Sequence, residues 1–320
     1  MQVAALIVVT LVTLINCLTV SVSGAIASFL TALKVLLILA VGTGVFLLAK
    51  GNWMHFMMSN AGGTCEGVSA AARGGLAGFG AAMLGALWAY DGWSNLTIVA
   101  GEVKNPKRNL PLALIGGMIL VVLLYTFLNA AYFYVLTPTE TASVSIASSV
   151  ATEAVTHFLG PLAAGAMAVG LLISTLGTCY TGVLCGARIP YAMAEDGLFF
   201  RKLAEVSPRT HVPVNALILQ WLWICVLTIS GSFDTLTDYA MFAAYIFYGL
   251  ACSSVFLFRK RIPDAERPYR TWGYPLVPTL FLLVTAFLLV NTIWTAPVQS
   301  LIGLCLILLG LPLYWYFSSR

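Results

Sequence analysis

The stretch Trp88-Ala89-Tyr90-Asp91-Gly92-Trp93-Ser94-Asn95 sits in the middle of an apolar run that extends from about residue 76 to 101. A helix needs roughly 20 residues, at about 1.5 Å each, to cross some 30 Å of hydrocarbon. A carboxylate is expensive in such a solvent, and Asp91 is the one carboxylate in the interior of an apolar run. It stands beside glycine, between aromatic residues and ahead of Ser94. The sequence therefore predicts a helix interrupted at Asp91-Gly92, with carbonyls freed around Trp88, Ala89 and Tyr90 and N–H groups freed at the start of the second half. Freed carbonyls can receive a ligand ammonium while the flanking aromatics close over its side chain. The alternative reading is an Asp that caps a kinked helix flanked by interfacial Trp.

The rest of the chain suits the same solvent. Its 320 residues are 60% hydrophobic and 9% charged, with a mean hydropathy of +0.94, whereas soluble domains carry about 25% charged residues. Apolar runs of spanning length lie at about 3–20, 26–49, 76–101, 110–136, 161–187, 213–231, 236–258, 274–294 and 299–317. They are continuous rather than alternating, which excludes membrane-barrel strands. The expected fold is an all-α polytopic membrane protein, one domain over 1–320. No basic face suits nucleic acid. Cysteines stand singly, and His55, His157 and His211 have no companion at ligand spacing, so no disulfide framework, metal or other cofactor is implied. With no HExxH, no GxSxG and no pair of buried carboxylates, enzyme chemistry lacks its parts.

Basic residues set the orientation. Lys104, Lys107, Arg108, Arg188, Arg201, Lys202, Arg209, Arg259, Lys260, Arg261, Arg267, Arg270 and Arg320 fall in alternate connections or at the C-terminal end. The other connections hold Lys50 and Arg73, together with Glu140, Glu153, Asp234 and Asp238. The positive-inside rule makes the basic connections and the C-terminus cytoplasmic, in a plasma or inner membrane. Nine spans then leave the N-terminus outside, yet Met1 opens directly into an apolar helix with no charged flank, which suggests that a segment is missing upstream. Read instead as a signal peptide, residues 1–20 lack a basic n-region. The glycine-rich connection 50–75 leads into a small-residue face, Gly78, Gly80, Ala81, Ala82 and Gly85, expected to serve close helix packing.

Two more features need a reason in hydrocarbon. Lys34 stands eight positions into the span that begins near 26, about 12 Å deep. Either its stem snorkels to the interface, or its ammonium finds internal carbonyls and hydroxyls and acts as a fixed monovalent cation. Ser174-Thr175-Leu176-Gly177-Thr178-Cys179-Tyr180-Thr181-Gly182 is a hydroxyl-rich run in the fifth span. Such hydroxyls often bond their own i−4 carbonyls, and the interest of the run lies in a pairing with Lys34.

The run from Trp88 to Glu102, with Val103-Lys-Asn-Pro-Lys-Arg-Asn-Leu-Pro111 after it, resembles the sixth membrane helix and following loop of the L-type amino acid transporters, within the amino acid–polyamine–organocation superfamily. Arg188-Ile-Pro-Tyr-Ala-Met-Ala-Glu-Asp-Gly-Leu198 with Pro213-Val-Asn-Ala216 resembles the family's loop between helices eight and nine. Arg259-Lys-Arg-Ile-Pro-Asp264, Arg267-Pro-Tyr-Arg270 and Gly273-Tyr-Pro275 resemble its loop after helix ten. The resemblance implies family helices four to twelve, with no counterpart to one to three, in a fold of two inverted five-helix repeats. Substrate would lie between the broken first and sixth helices. Trp88 would be the aromatic gate, Ala89, Tyr90, Asp91 and Gly92 the unwound segment, and Ser94 a further substrate-site residue. Lys34 falls where many members carry a lysine in place of a second sodium site, with helix-eight neighbours near Ser174 and Thr175. That implies sodium-independent transport, generally exchange, with proton coupling left open. Asp91 either favours cationic or small polar substrates or simply holds the break. The implied partners are an amino acid substrate and the lipid bilayer. An accessory subunit is undecided, because the region of its linking cysteine would lie upstream. The rival class is a non-transporting helix bundle, or one that needs another chain to supply helices one to three.

Overall fold

A backbone N–H or C=O in hydrocarbon has no water to turn to, so continuous apolar runs close their hydrogen bonds internally as helices. The computed structural model describes residues 2–18, 20–59, 62–145, 147–230, 233–267 and 269–319. Met1, Arg320 and the side chains of Asp234 and Asp238 lie outside the described residues. Among the described residues there are helices and no strand: α1 (Gln2–Asn16), α2 (Val20–Leu48), α3 (Gly75–Ala89), α4 (Asn95–Ile98), α5 (Pro106–Val135), α6 (Pro138–Thr141), α7 (Val150–Leu159), α8 (Ala163–Gly186), α9 (Arg188–Glu195), α10 (Val214–Ser230), α11 (Phe233–Arg261), α12 (Leu276–Thr295), α13 (Pro297–Leu308) and α14 (Gly310–Ser318). Among the described residues, six helical stretches are long and apolar enough to cross a membrane: Val22–Leu48, Pro106–Val135, Val150–Glu195, Ala240–Arg261, Leu276–Thr295 and Pro297–Ser318. The shorter α1, α3 and α10 are apolar as well.

Local chemistry sets the helix ends. Pro106 opens α5, where a missing N–H is no loss. At α6, Thr137 and Glu140 form a capping box: the Thr137 N–H donates to Glu140 Oε2 at 2.7 Å, and the Glu140 N–H donates to Thr137 Oγ1 at 3.2 Å. Ser149 caps α7 through the Thr152 N–H. Arg259, Lys260 and Arg261 occupy the last turn of α11, where the helix dipole favours cations.

The helices pack in two groups. In the first, α2 is the hub. Val45, Ala131, Val135 and Ala154 are buried where it meets α5 and α7, and Val155, Ala163 and Met167 are buried between α7 and α8. α1 and α10 join this group through Val12, Tyr180, Val183 and Leu217. In the second group, Met241, Tyr245 and Leu288 of α11 and α12 close over Met83, Leu84 and Leu87 of α3. The small-residue face of α3 divides between two uses. A Cβ at Gly80 would lie 2.5 Å from Asn291 Nδ2, so this glycine admits α12. Gly85 meets nothing within 4 Å and, with Ala81, lines a cavity instead. Close packing therefore explains only part of that face.

The basic connections gather at one end. Arg188 donates through Nε to Glu102 Oε1 at 2.6 Å and through Nη2 to Oε2 at 3.1 Å. Lys107 Nζ reaches Glu266 Oε1 at 2.7 Å, and the Phe200 and Phe317 rings lie 5.1 Å apart. At the other end the Asn52 N–H donates to the Tyr134 carbonyl at 2.7 Å, and the Cys65 N–H to the Ala142 carbonyl at 3.0 Å.

These two ion pairs should differ in worth. The Arg188 side chain is 9% exposed, and it also donates to the Leu184 carbonyl. Arg188→Met strands Glu102, which is 46% exposed, so the expected loss is about 1–3 kcal/mol rather than that of a wholly buried pair. Lys107→Met, whose pair is 67% and 81% exposed, should stay within about 0.5 kcal/mol. Thermal unfolding in detergent measures both, and equal shifts would deny Arg188 its tethering role.

Candidate functional site

α3 stops at Ala89 and the helix resumes at Asn95, with Tyr90 to Ser94 forming a turn between them. Gly92 permits it: its φ of +100° is a conformation that side-chain-bearing residues rarely adopt. A broken helix leaves backbone groups to be paired elsewhere. The Trp88 carbonyl accepts from the Asp91 N–H at 3.0 Å, and the Gly92 carbonyl from the Asn95 N–H at 3.1 Å. The Ala89 carbonyl accepts from the Tyr125 hydroxyl of α5 at 2.9 Å. The carbonyls of Tyr90 and Asp91 accept from no described residue. The opening is thus narrower than expected and lies later in the chain: Trp88 and Ala89 are engaged, whereas Tyr90 and Asp91 are open.

The carboxylate is held from one side. Tyr248 of α11 donates to Asp91 Oδ1 at 2.7 Å, and its hydroxyl lies 3.2 Å from Ser94 Oγ. The carboxylate can only accept, so Ser94 donates to the phenol oxygen in turn. The Tyr248 ring packs 5.3 Å from Trp93 and 5.8 Å from Tyr245, which fixes the arm that reaches Asp91. Ala89, Tyr90, Asp91 and Gly92 line a cavity of about 320 Å³. Trp88, 42% exposed, lines a separate one of about 510 Å³ with Gly85, Thr237 and Met241.

Lys34 turns inward rather than snorkelling. Its Nζ donates to Thr178 Oγ1 of α8 at 2.6 Å, and Thr178 donates its own proton to the Ser174 carbonyl at 3.1 Å. Gly177 makes the approach possible, since a Cβ there would lie 2.8 Å from Lys34 Cε and 3.2 Å from Leu30 Cβ. The partner on α8 is therefore Thr178, one turn beyond Ser174. Ser174 acts through Thr178 by its carbonyl, and the Thr175 hydroxyl returns to the Leu171 carbonyl at 2.8 Å. The physical reason is steric, because the lysine stem crosses α8 over the one residue there without a side chain and meets the hydroxyl beside it. An ammonium has three protons, and the other two are given to no described residue. Lys34, Ser174, Thr178 and Tyr125 share a cavity of about 460 Å³ that is otherwise mostly apolar. Tyr125 also lines the cavity at the broken helix, so the two features meet at one phenol.

Sequence reasoning held Gly177 and Thr178 only within the hydroxyl-rich run and did not single out Tyr125 or Tyr248. The available signal was a hydroxyl in the interior of an apolar helix, which has to find a partner. That signal is shared by Tyr132 and Tyr245, so it marks candidates without choosing among them. The Asp91–Tyr248 bond is testable by a double-mutant cycle. Tyr248→Phe should lower stability by about 0.5–1.5 kcal/mol, and with Asp91→Asn the two should couple by roughly 1 kcal/mol. Additive effects in chemical or thermal unfolding would mean the bond does not hold the turn.

The amino acid permease family profile matches residues 2–313. The chain is 33% identical over 244 residues to the serine/threonine exchanger SteT of Bacillus subtilis (strain 168), an alignment covering 76% of this chain and 55% of that protein. It is 30% identical over 312 residues to the b(0,+)-type amino acid transporter 1 of Rattus norvegicus, covering 96% and 60%. To the cystine/glutamate transporter of Homo sapiens it is 29% identical over 311 residues, covering 97% and 59%. The alignments span 55–60% of these relatives' length. With a helix broken at Tyr90–Ser94, a lysine fixed on the neighbouring α8 and a profile match across nearly all of its length, the chain belongs to the amino acid permease family of the amino acid–polyamine–organocation superfamily, a family of transporters rather than enzymes.

Proposed function

We propose that the chain carries the substrate pathway of a sodium-independent amino acid exchanger that works by alternating access. The observation that carries this reading is the turn Tyr90–Ser94, where two carbonyls accept from no described residue, the carboxylate is held on one side only, and Tyr90 and Asp91, which carry these groups, line a cavity. An amino acid ammonium needs such acceptors, and broken-helix backbone near the bilayer midplane supplies them. An exchanger of serine and threonine and a transporter of cystine and glutamate among the relatives support amino acids as the substrate class and exchange as the mode.

Lys34 supports sodium independence. Its ammonium supplies one fixed positive charge beside the Thr178 hydroxyl and the Ser174 carbonyl, groups that would otherwise suit a monovalent cation. Asp91 has two roles to divide. The bond from Tyr248 favours holding the break, while its exposed position leaves it able to attract a cationic substrate. Trp88 is taken as the gate and Ser94 as a substrate-side hydroxyl that also steadies Tyr248. The basic end is taken as cytoplasmic by the positive-inside rule, with the C-terminus inside and the protein in a plasma or inner membrane.

Exchange in proteoliposomes preloaded with amino acid tests the reading, using this chain with whatever residues flank it in its gene. Lys34→Ala should reduce exchange about tenfold or more, the scale of losing a hydrogen bond made by a charged group; unchanged uptake kinetics would end its role as an ion substitute. Asp91→Asn should lower uptake of basic amino acids by roughly tenfold relative to neutral ones if the carboxylate attracts substrate. Equal loss for both classes assigns Asp91 to structure alone, and no exchange by any form favours the non-transporting bundle.

A further inference from the structure

Lys107, Leu110, Pro111 and Leu114 recur at i, i+3, i+4 and i+7, so they share one face of α5. With Glu266 and Tyr269 they line an open groove of about 650 Å³ at the basic end of the bundle. A second cavity of about 630 Å³ adjoins it through Glu266 and Arg267 and adds Arg259 and Arg270. Arg267 is the frame rather than a free cation. Its two terminal nitrogens donate to the carbonyls of Phe258, Ile262, Pro263 and Ala265, stitching the segment onto the end of α11. The Arg259 guanidinium carbon lies 3.6 Å from the centre of the Tyr274 ring, a cation–π contact that holds the guanidinium in place. Arg270 makes no hydrogen bond or ion pair with any described residue, nor do Lys260 and Arg261. The helix dipole accounts for cations in the last turn of α11, but not for Arg270 or Lys107, nor for the apolar wall beneath them. Trp272 and Tyr269 of the same segment are 82% and 54% exposed, as aromatic side chains at headgroup level are.

We infer that this groove binds one anionic phospholipid, its phosphate held by Arg259, Arg270 and Lys107 and an acyl chain laid along Leu110 and Leu114 of α5. Four cationic side chains (Lys107, Arg259, Arg267 and Arg270) line the two cavities with two acidic ones, Asp264 and Glu266. The excess charge adjoins the half-buried apolar strip Leu110, Pro111 and Leu114, so the complement is a molecule with an anion at one end and hydrocarbon at the other. The Lys107–Glu266 pair across the groove mouth is exposed and weak, so a phosphate can displace Glu266 from it. The inference does not rest on which solute is carried, and the one wall residue the groove shares with the cavity at the broken helix is Leu114.

Native mass spectrometry of the detergent-solubilised chain, offered phosphatidylglycerol or phosphatidylcholine, tests it. One retained phosphatidylglycerol is expected, with a preference of about tenfold over phosphatidylcholine. Arg259→Gln with Arg270→Gln should abolish the preference, and Lys107→Gln with Arg270→Gln, which touches only exposed side chains, should do the same if misfolding is not the cause. Arg201→Gln with Lys202→Gln removes the same charge from another basic connection and should leave the preference intact. Equal retention of both lipids, equal loss in that control, or unchanged retention in the groove variants would overturn the inference. Displacement of the lipid by millimolar glycerol phosphate would overturn it too, because the groove would then be a plain anion site.

Discussion

A helix that breaks inside hydrocarbon exposes carbonyls and N–H groups that water cannot reach, and each one left alone costs several kcal/mol. The turn at Tyr90–Ser94 is that problem, and much of the surrounding structure is its solution. α5 sends Tyr125 to the Ala89 carbonyl, and α11 sends Tyr248 to the Asp91 carboxylate and the Ser94 hydroxyl. Tyrosine suits the task because it carries one hydroxyl on a stiff apolar arm that packs as it reaches. The Tyr90–Tyr125 and Trp93–Tyr248 ring contacts supply that packing. What remains without a partner among the described residues, the Tyr90 and Asp91 carbonyls, is then confined to one short turn rather than a general weakness of the helix.

Lys34 poses the same problem with the opposite sign. An ammonium withdrawn from water needs acceptors at close range, and the approach is granted by Gly177 and completed by Thr178, whose own proton is committed to the Ser174 carbonyl. The hydroxyl is thereby oriented, with its lone pairs toward the lysine. One bond does not exhaust an ammonium, so two protons face a cavity whose wall includes Tyr125. The same phenol holds the end of α3. Anything that fills the lysine's cavity and moves Tyr125 therefore acts on the broken helix, and a shared, discretely placed side chain is the kind of element through which two sites can be coupled.

Hydrocarbon imposes few rules, and that is why so much of the fold was legible. Continuous apolar runs had to be helical, Asp91-Gly92 had to be a break or a capped kink, and Lys34 had to be a site or an interfacial anchor. Thr178 was harder to read than Ser174 because the choice depends on where the lysine stem crosses α8, which only the packing around Gly177 decides. Tyr125 and Tyr248 were harder still, lying 36 and 157 residues from their partners in sequence. Gly80 and Gly85 look alike in sequence, yet one meets Asn291 and the other a cavity. Helical spacing sets them about 140° apart around α3 but does not say what stands opposite either.

The break also lies where the two packing groups meet. α3 belongs with α11 and α12 through Met83, Leu84 and Leu87. Beyond the turn, α4 lies against α8 and α5, and Glu102 just after it is clasped by the nearly buried Arg188 at the end of α8. The two halves of one interrupted helix are therefore anchored in different bodies. The contacts between these bodies include the Tyr125–Ala89 hydrogen bond and the Tyr248–Ser94 hydrogen bond, each worth about 0.5–1.5 kcal/mol net, the Tyr90–Tyr125 ring contact, and the exposed Lys107–Glu266 pair, worth about 0–1 kcal/mol. Within each body the contacts are buried apolar clusters, which do not yield piecemeal. A motion that separates α3, α11 and α12 from the α2 and α8 scaffold breaks the weak bonds and spares the strong ones. The residue best placed to absorb its change in backbone angle is Gly92, which carries no Cβ to oppose it. Such a motion needs no hinge beyond the turn itself.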